Sequence, residues 1–368
     1  MTAPDADVIV VGLGVHGSAA ARQLAQRGLS VVGLDRFGSR PDALDHSRGS
    51  SHGRTRMIRR AYPNPVWNDL VDRAFRGWAD LEAESGQTLI HRTGGMFAHR
   101  GDSTLQGPGV RVVERDEAAK LMPSLRMPDG FHGMFDPAAG VLEAERGIAA
   151  MRAGAIAAGA DLRTGVEVTG WRAEGDIAIV ETPRGEIRAS RLVLAGGAFL
   201  GELVPALASI IEPWRILTAT VRPGQSAGQA PGLGVFSIDL PEGLLFGIPD
   251  VEGNGLKVGM DIAEPWDPER PPAPVTPSEA RRLLDRMAEH VPGIDTSDVD
   301  AVSCLYTMTE DKRFIVGALD GAPHVIVASA CSGHGFKFGP AIGETIADLC
   351  QGVARPDLDF ISTSRRGL

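Results

Sequence analysis

Gly12, Gly14 and Gly17 follow directly on the apolar run Val8-Ile9-Val10-Val11, and no other stretch restricts the fold of this chain as tightly. Four consecutive apolar residues suit a strand buried on both faces, which belongs in a parallel sheet covered by helices. The glycine spacing then supplies a tight turn, close approach of backbone to a pyrophosphate, and tight packing of helix on strand. Ser18 to Ala25 is a good helix-forming stretch closed by Gly28, and Ser30 to Leu34 reads as the second strand. Asp35 ends that strand about twenty residues on, placed for a ribose diol. Residues 7–35 therefore predict a βαβ unit that binds a dinucleotide at a helix N-terminus, and leave open which dinucleotide.

A chain of 368 residues suits two domains sharing an interface. Its formal charge of −10 argues against nucleic acid as a partner. No apolar run reaches spanning length, and Met1 to Asp7 carry no basic region before an apolar stretch. The expectation is a soluble cytoplasmic protein with no membrane partner. Cys304, Cys331 and Cys350, odd in number and late in the chain, make no disulfide framework or zinc pattern. Only four of the 37 basic residues are lysines: Lys120, Lys257, Lys312 and Lys337. A lysine kept in so arginine-rich a chain is informative, because its ammonium is compact and its pKa tunable.

Helical spacing is expected over 64–85 and 143–158, again near 277–291, and over 340–350. Short β-like segments begin near Thr93, residues 162–194 alternate like a meander, and Pro213 to Gly259 is β-rich. The two domains thus interleave.

Within this frame four further motifs carry chemistry. In Gly49 to Tyr62, Ser50, Ser51, His52 and Gly53 resemble an anion cradle, while Arg56 and Arg59 are expected on one face of a following helix. Arginine suits a bidentate grip on a carboxylate. Lys257 stands in the strand Gly255-Leu256-Lys257-Val258-Gly259, either facing solvent on a hairpin or stabilising anionic oxygen beside a redox centre. Cys304 on pattern alone reads as a small buried hydrophobe. In Ser332 to Lys337 a strand feeds a helix through glycines, so Lys337 either decorates a plain turn or reaches a bound carboxylate.

Taken together, these segments resemble the monomeric sarcosine oxidase and N-methyltryptophan oxidase family of D-amino-acid-oxidase-like flavoproteins, over nearly the whole chain. The resemblance implies an α/β architecture: a glutathione-reductase-type FAD domain (1–92, 137–212 and 300–368) with an interleaved mixed-sheet substrate domain (93–136 and 213–299). It implies FAD held by Gly12, Gly14, Val15, His16, Gly17, Asp35, Arg36, Ser50, Ser51, His52, Thr55, Arg56, Val168, Gly196, Gly197, Gly333, Gly335, Phe336 and Lys337, and covalently by Cys304. Lys257 would activate oxygen, with Arg56 and His52 near the flavin ring. Arg59 and Lys337 would clamp a substrate carboxylate in a pocket shared with Tyr62, Phe246, Asp261 and Tyr306. Phe246 stands where these oxidases have a tyrosine, and Asp261 replaces their histidine four residues after the lysine. The implied reaction is oxidation of a secondary amine, an N-methyl, cyclic or glycated amino acid, by hydride transfer to flavin N5. It gives an imine, and dioxygen yields hydrogen peroxide, in a monomer. The alternatives are a flavin dehydrogenase that uses an electron carrier, and a flavin-containing binding or assembly module without turnover.

Overall fold

The computed structural model describes residues 4–222 and 230–366. Residues 223–229 of the expected β-rich stretch, and 1–3, 367 and 368 at the ends of the expected FAD domain, lie outside them. The βαβ unit forms as strand Ala6–Val11, helix Val15–Gln26 and strand Val31–Asp35. Five strands run parallel around it, in the order Ala322–Ser329, Gly185–Leu194, Ala6–Val11, Val31–Asp35 and Asp161–Thr164. The meander Gly170–Glu174, Ile177–Thr182 and Gly185–Leu194 extends this sheet through antiparallel pairs. Val8, Ile9 and Val10 are buried, as a strand covered on both faces requires.

Small residues let the covering helices close on one another. A Cβ at Gly343, in helix Gly339–Cys350, would stand 2.6 Å from the Ala19 Cβ of helix Val15–Gln26. Helix Asn68–Ser85 ends at Gly86 with φ 66°, a left-handed cap that glycine adopts without strain. Its buried Trp78 packs where Gly147 leaves room for the indole, and Trp78 Nε1 donates to Lys337 O at 2.7 Å. That bond fixes the backbone of the last motif before any ligand is considered.

A second sheet of eight strands orders as Val299–Met308, Glu212–Val221, Leu256–Asp261, Gly243–Ile248, Val235–Leu240, Gly95–Arg100, Phe131–Asp136 and Arg111–Val113. It has its own core, from Met96 and Phe236 to Leu284 and Met287. Helix Pro277–His290 covers it, started by a capping box in which Thr276 and Glu279 satisfy each other's backbone N–H groups. The buried Arg215 joins Glu279 to Glu264, so the helix start and the preceding strand-end segment are tied at one guanidinium.

Two sequence expectations are corrected here. The boundary expected at 300 cuts through strand Val299–Met308, which pairs along its whole length with Glu212–Val221. Cys304 therefore belongs to the second sheet and meets the first only across the interface. Thr55–Ile58 is a strand paired with Gly140–Glu143, so Arg56 and Arg59 share no helix face. At a period of two, residues three apart diverge, and the two guanidinium groups serve different chambers.

Candidate active site

A cleft runs along the C-terminal ends of the first sheet's strands. Its lining reaches from Asp35 and Arg36 through the glycine turn to Tyr306 and Gly333. Gly12, Gly14, Val15, His16, Asp35, Arg36, Ser50, Ser51, Val168, Gly196, Gly197, Gly333, Gly335 and Phe336 all line it. Gly12 has φ 90°, and a Cβ there would stand 2.5 Å from Ala195 O. Any side chain at Gly17 would collide with Gly12 O. The turn is thus an all-backbone cradle, with helix Val15–Gln26 aiming its N-terminus into it.

Several polar groups in the cleft already have partners. Asp35 accepts Leu13 N–H at 2.8 Å and Phe37 N–H at 2.9 Å, and Ser51 Oγ accepts Val15 N–H at 3.1 Å. Arg36 makes a two-pronged pair with Glu269 at 2.7 and 3.0 Å and also meets Glu167. Burial, with a hydrogen bond to Glu269 second, raises Glu202 beside it to about 7. His16 is kept neutral, its pKa lowered to about 4 by burial. Rich in acceptors, the Asp35 end suits the nucleoside half of FAD, whose ribose and adenine carry donors.

At the other end the cleft meets two chambers. The first is lined by His52, Arg56, Glu145, Lys257 and Cys304. Lys257, 9% exposed, is no solvent-facing hairpin lysine. Its Nζ donates to Thr55 O at 2.7 Å, and burial first, then the charge of Arg56, lowers its pKa to about 7. Arg56 donates to Ser50 O at 2.8 Å, His52 O at 2.6 Å and Thr55 O at 2.9 Å, knitting up the loop beneath. His52 sits at about 4, depressed by burial and then by Arg56. Cys304 is buried as the pattern suggests, with its thiol pKa pushed up by that burial.

The second chamber holds Arg59, Tyr62, Asp261 and Lys337. Lys337, 6% exposed, donates to His334 O at 2.7 Å and to Tyr62 OH at 3.3 Å, so it does not decorate a plain turn. Burial, then Arg59, lowers its pKa well below the ordinary value. The Arg59 guanidinium lies 4.9 Å from the Tyr62 ring and 5.0 Å from the Phe97 ring, and donates to Ala61 O at 2.7 Å. Tyr306 and Phe246 line both chambers.

The wall between them is legible in one strand. Lys257, Gly259 and Asp261 share a face at period two, and Phe246 pairs with Gly259 across the hairpin. A side chain at Gly259 would collide with the Phe246 ring, so that ring lies over the glycine, between the lysine and the aspartate.

Sequence reasoning missed Lys312, the His334 imidazole, Trp67 and Glu145. His334 is held at about 3 by burial and hydrogen-bonds Lys312 O through Nε2 at 3.0 Å and Tyr62 OH through Nδ1 at 3.2 Å. Glu145 accepts Gly53 N–H at 2.7 Å. Each reaches the site from a different element, and no short-range spacing announces it. Among the described residues, no helix is long and apolar enough to cross a membrane, and no cluster of His, Cys, Asp and Glu could hold a metal.

Comparison with known proteins agrees with this geometry. Residues 7–349 match the family described as DAO, FAD dependent oxidoreductase. Monomeric sarcosine oxidase of Bacillus sp. (strain B-0618) is 31% identical over 98% of this chain and 96% of its own. N-methyl-L-tryptophan oxidase of Citrobacter koseri is 30% identical over 94% and 95%. Among solved structures, NikD, an unusual amino acid oxidase essential for nikkomycin biosynthesis, superposes with a TM-score of 0.80 at 25% identity, covering 98% of both chains. The chain belongs to the DAO family of FAD-dependent oxidoreductases.

Proposed function

We propose that the protein oxidises a secondary amine carrying a carboxylate, an N-methyl, cyclic or glycated amino acid. The observation that carries this reading is the second chamber, where Arg59 and Lys337 converge and, among the described residues, neither pairs with a carboxylate within 4.0 Å. A substrate carboxylate would complete both cations with charge-assisted hydrogen bonds. The sarcosine and N-methyltryptophan oxidases to which the chain is similar act, by their names, on amino acids of this type.

Bound FAD supplies the two-electron acceptor that amino-acid side chains lack. The residues position and polarise. Arg59 and Lys337 fix the carboxylate end, and Tyr62 with His334 holds the Lys337 ammonium in one place, so the amine end is presented in one orientation. Phe246, Tyr306 and Trp67 keep that pocket apolar around its charges. On the opposite side Lys257 and Arg56 form a purely cationic pair, suited to stabilising negative charge that develops on dioxygen. Hydrogen peroxide is then the second product, alongside an imine that water hydrolyses. Cys304, in the same chamber as Lys257, is the candidate for a covalent tie to the cofactor. We also place the enzyme in the cytoplasm as a monomer, like the relatives named monomeric.

An anaerobic screen of N-methyl, cyclic and glycated amino acids tests the reading. At least one should bleach the yellow protein, and admitting air should restore the colour with one peroxide per turnover. A protein that no such amine bleaches would exclude the reading, and recovery only with an added carrier would make it a dehydrogenase. Acid precipitation tests the tether: colour should stay in the pellet for the natural sequence and move to the supernatant for Cys304→Ser.

A further inference from the structure

The second chamber contains a negative charge that a carboxylate clamp does not require, on Asp261. Asp261 ends strand Leu256–Asp261 and enters a cavity lined also by the cations Arg59, Lys312, Arg313 and Lys337 and by Asp311. Among the described residues none of them pairs with it within 4.0 Å, and its Oδ1 is sealed from solvent without a hydrogen-bond partner. Its Oδ2 borders Gly333. A Cβ at that glycine would stand 3.6 Å from Oδ2 and 3.1 Å from the Tyr306 ring, so the bare backbone keeps the space between carboxylate and ring open. A carboxylate oxygen withdrawn from water and left unpaired is costly, and removing either the charge or the isolation relieves the cost. A ligand cation seated in that space relieves it.

We propose that Asp261 is the counter-charge for a positively charged substrate nitrogen, so that the chamber selects zwitterions whose carboxylate rests on Arg59 and Lys337. This deepens the amine-oxidase reading and rests on it for the carboxylate clamp. The pocket would then discriminate by two opposite charges held apart by the protein, and a carboxylate lacking the cation would leave Asp261 unsatisfied.

Two probes of one shape separate the charges. Betaine and 3,3-dimethylbutyrate differ only in a quaternary nitrogen against a quaternary carbon, and neither can lose a proton at that centre. Calorimetry on the flavin-loaded protein at pH 8 should find betaine bound about tenfold more tightly, through ion-pair attraction that needs no N–H donor. Asp261→Asn should bring the two within about twofold, mainly by weakening betaine.

A pH series on the natural sequence gives a second arm. Burial raises the Asp261 carboxyl to about 7, against the lowering influence of Lys312, Arg59 and Lys337. His334 stays neutral and Tyr306 un-ionised through this range, each held there by burial, while Asp311 and Arg313 also face the cavity. The preference for betaine should therefore shrink as pH falls through 7 and the carboxylate gains its proton. Equal affinity for the two probes at pH 8, a preference that survives in Asp261→Asn, or failure of both to bind would overturn the proposal. Amines that bleach the flavin without any betaine preference would sink this inference alone. A preference in a protein that no amine bleaches would sink the oxidase reading alone.

Discussion

The two buried lysines sit in chambers built from the same strands and loops, and their surroundings differ in one respect that decides their chemistry. Lys257 has another cation, Arg56, as its neighbour and a backbone carbonyl as its hydrogen-bond acceptor. Lys337 shares its chamber with Arg59 but also with the Asp261 carboxyl, and it is held by a tyrosine hydroxyl that a neutral histidine orients. The first chamber sets two cations side by side, Lys257 and Arg56, which suits a small molecule that becomes an anion. The second offers both signs at separate points, which suits a molecule carrying both. Phe246 divides them, seated on Gly259 between Lys257 and Asp261.

Breaking the cationic chamber should have the largest effect. Lys257→Met should slow flavin reoxidation by oxygen about 10²–10³-fold, the usual cost of removing one preorganised charge from a developing anion. Flavin reduction by the amine should change by less than about threefold. Rapid mixing of the reduced enzyme with oxygen reads the first number and anaerobic mixing with substrate reads the second. Equal slowing of both would mean that the lysine supports the whole interface and no single half-reaction.

The zwitterion chamber should respond more mildly. Lys337→Met removes one hydrogen-bonded charge from the carboxylate and should raise the substrate dissociation constant about 10–100-fold. An unchanged dissociation constant, measured from the concentration dependence of anaerobic bleaching, would remove Lys337 from the clamp.

The smallest effect is on pH dependence. Burial lowers Lys257 from 10.5 to about 7, so the folded protein lacks a proton there that the unfolded chain holds between those values. The folded state is penalised most below about pH 7, and the penalty fades as pH rises towards 10.5. Lys257→Met should therefore raise the melting temperature by a few degrees at pH 6 and by progressively less towards pH 10. The natural enzyme's rate with oxygen should fall as pH rises through the lysine's pKa, and the variant should lose that slope. A melting temperature lowered at every pH would contradict the unpaired burial of the ammonium.

The sequence made the first sheet legible because its signals are local. Val8 to Val11, the three glycines and Asp35 lie within one βαβ unit, where spacing maps directly onto geometry. The helices at 68–85, 144–157 and 277–290 were visible for the same reason. The boundary expected at 300 falls inside strand Val299–Met308 because pairing partners almost ninety residues apart leave no trace in either segment. Arg56 and Arg59 were read at helical period because a four-residue strand is too short to display alternation. Motif resemblance brought the two lysines, Cys304 and Asp261 to attention, but the division into two chambers depends on Phe246 meeting Gly259, a contact set by hairpin register. Lys312 and His334 reach the second chamber from a loop and a turn, and only the folded chain brings them into one cavity with Asp261.

A double-mutant cycle on the lysines tests the central claim most directly. Lys257→Met, Lys337→Met and the double variant would each be measured in both half-reactions. Two independent chambers require the double variant to match Lys257→Met in reoxidation and Lys337→Met in substrate binding, each within about twofold, the scatter expected of uncoupled sites. A double variant that departs from the single by tenfold in either half-reaction would show one coupled site, and the division of labour drawn here would be wrong.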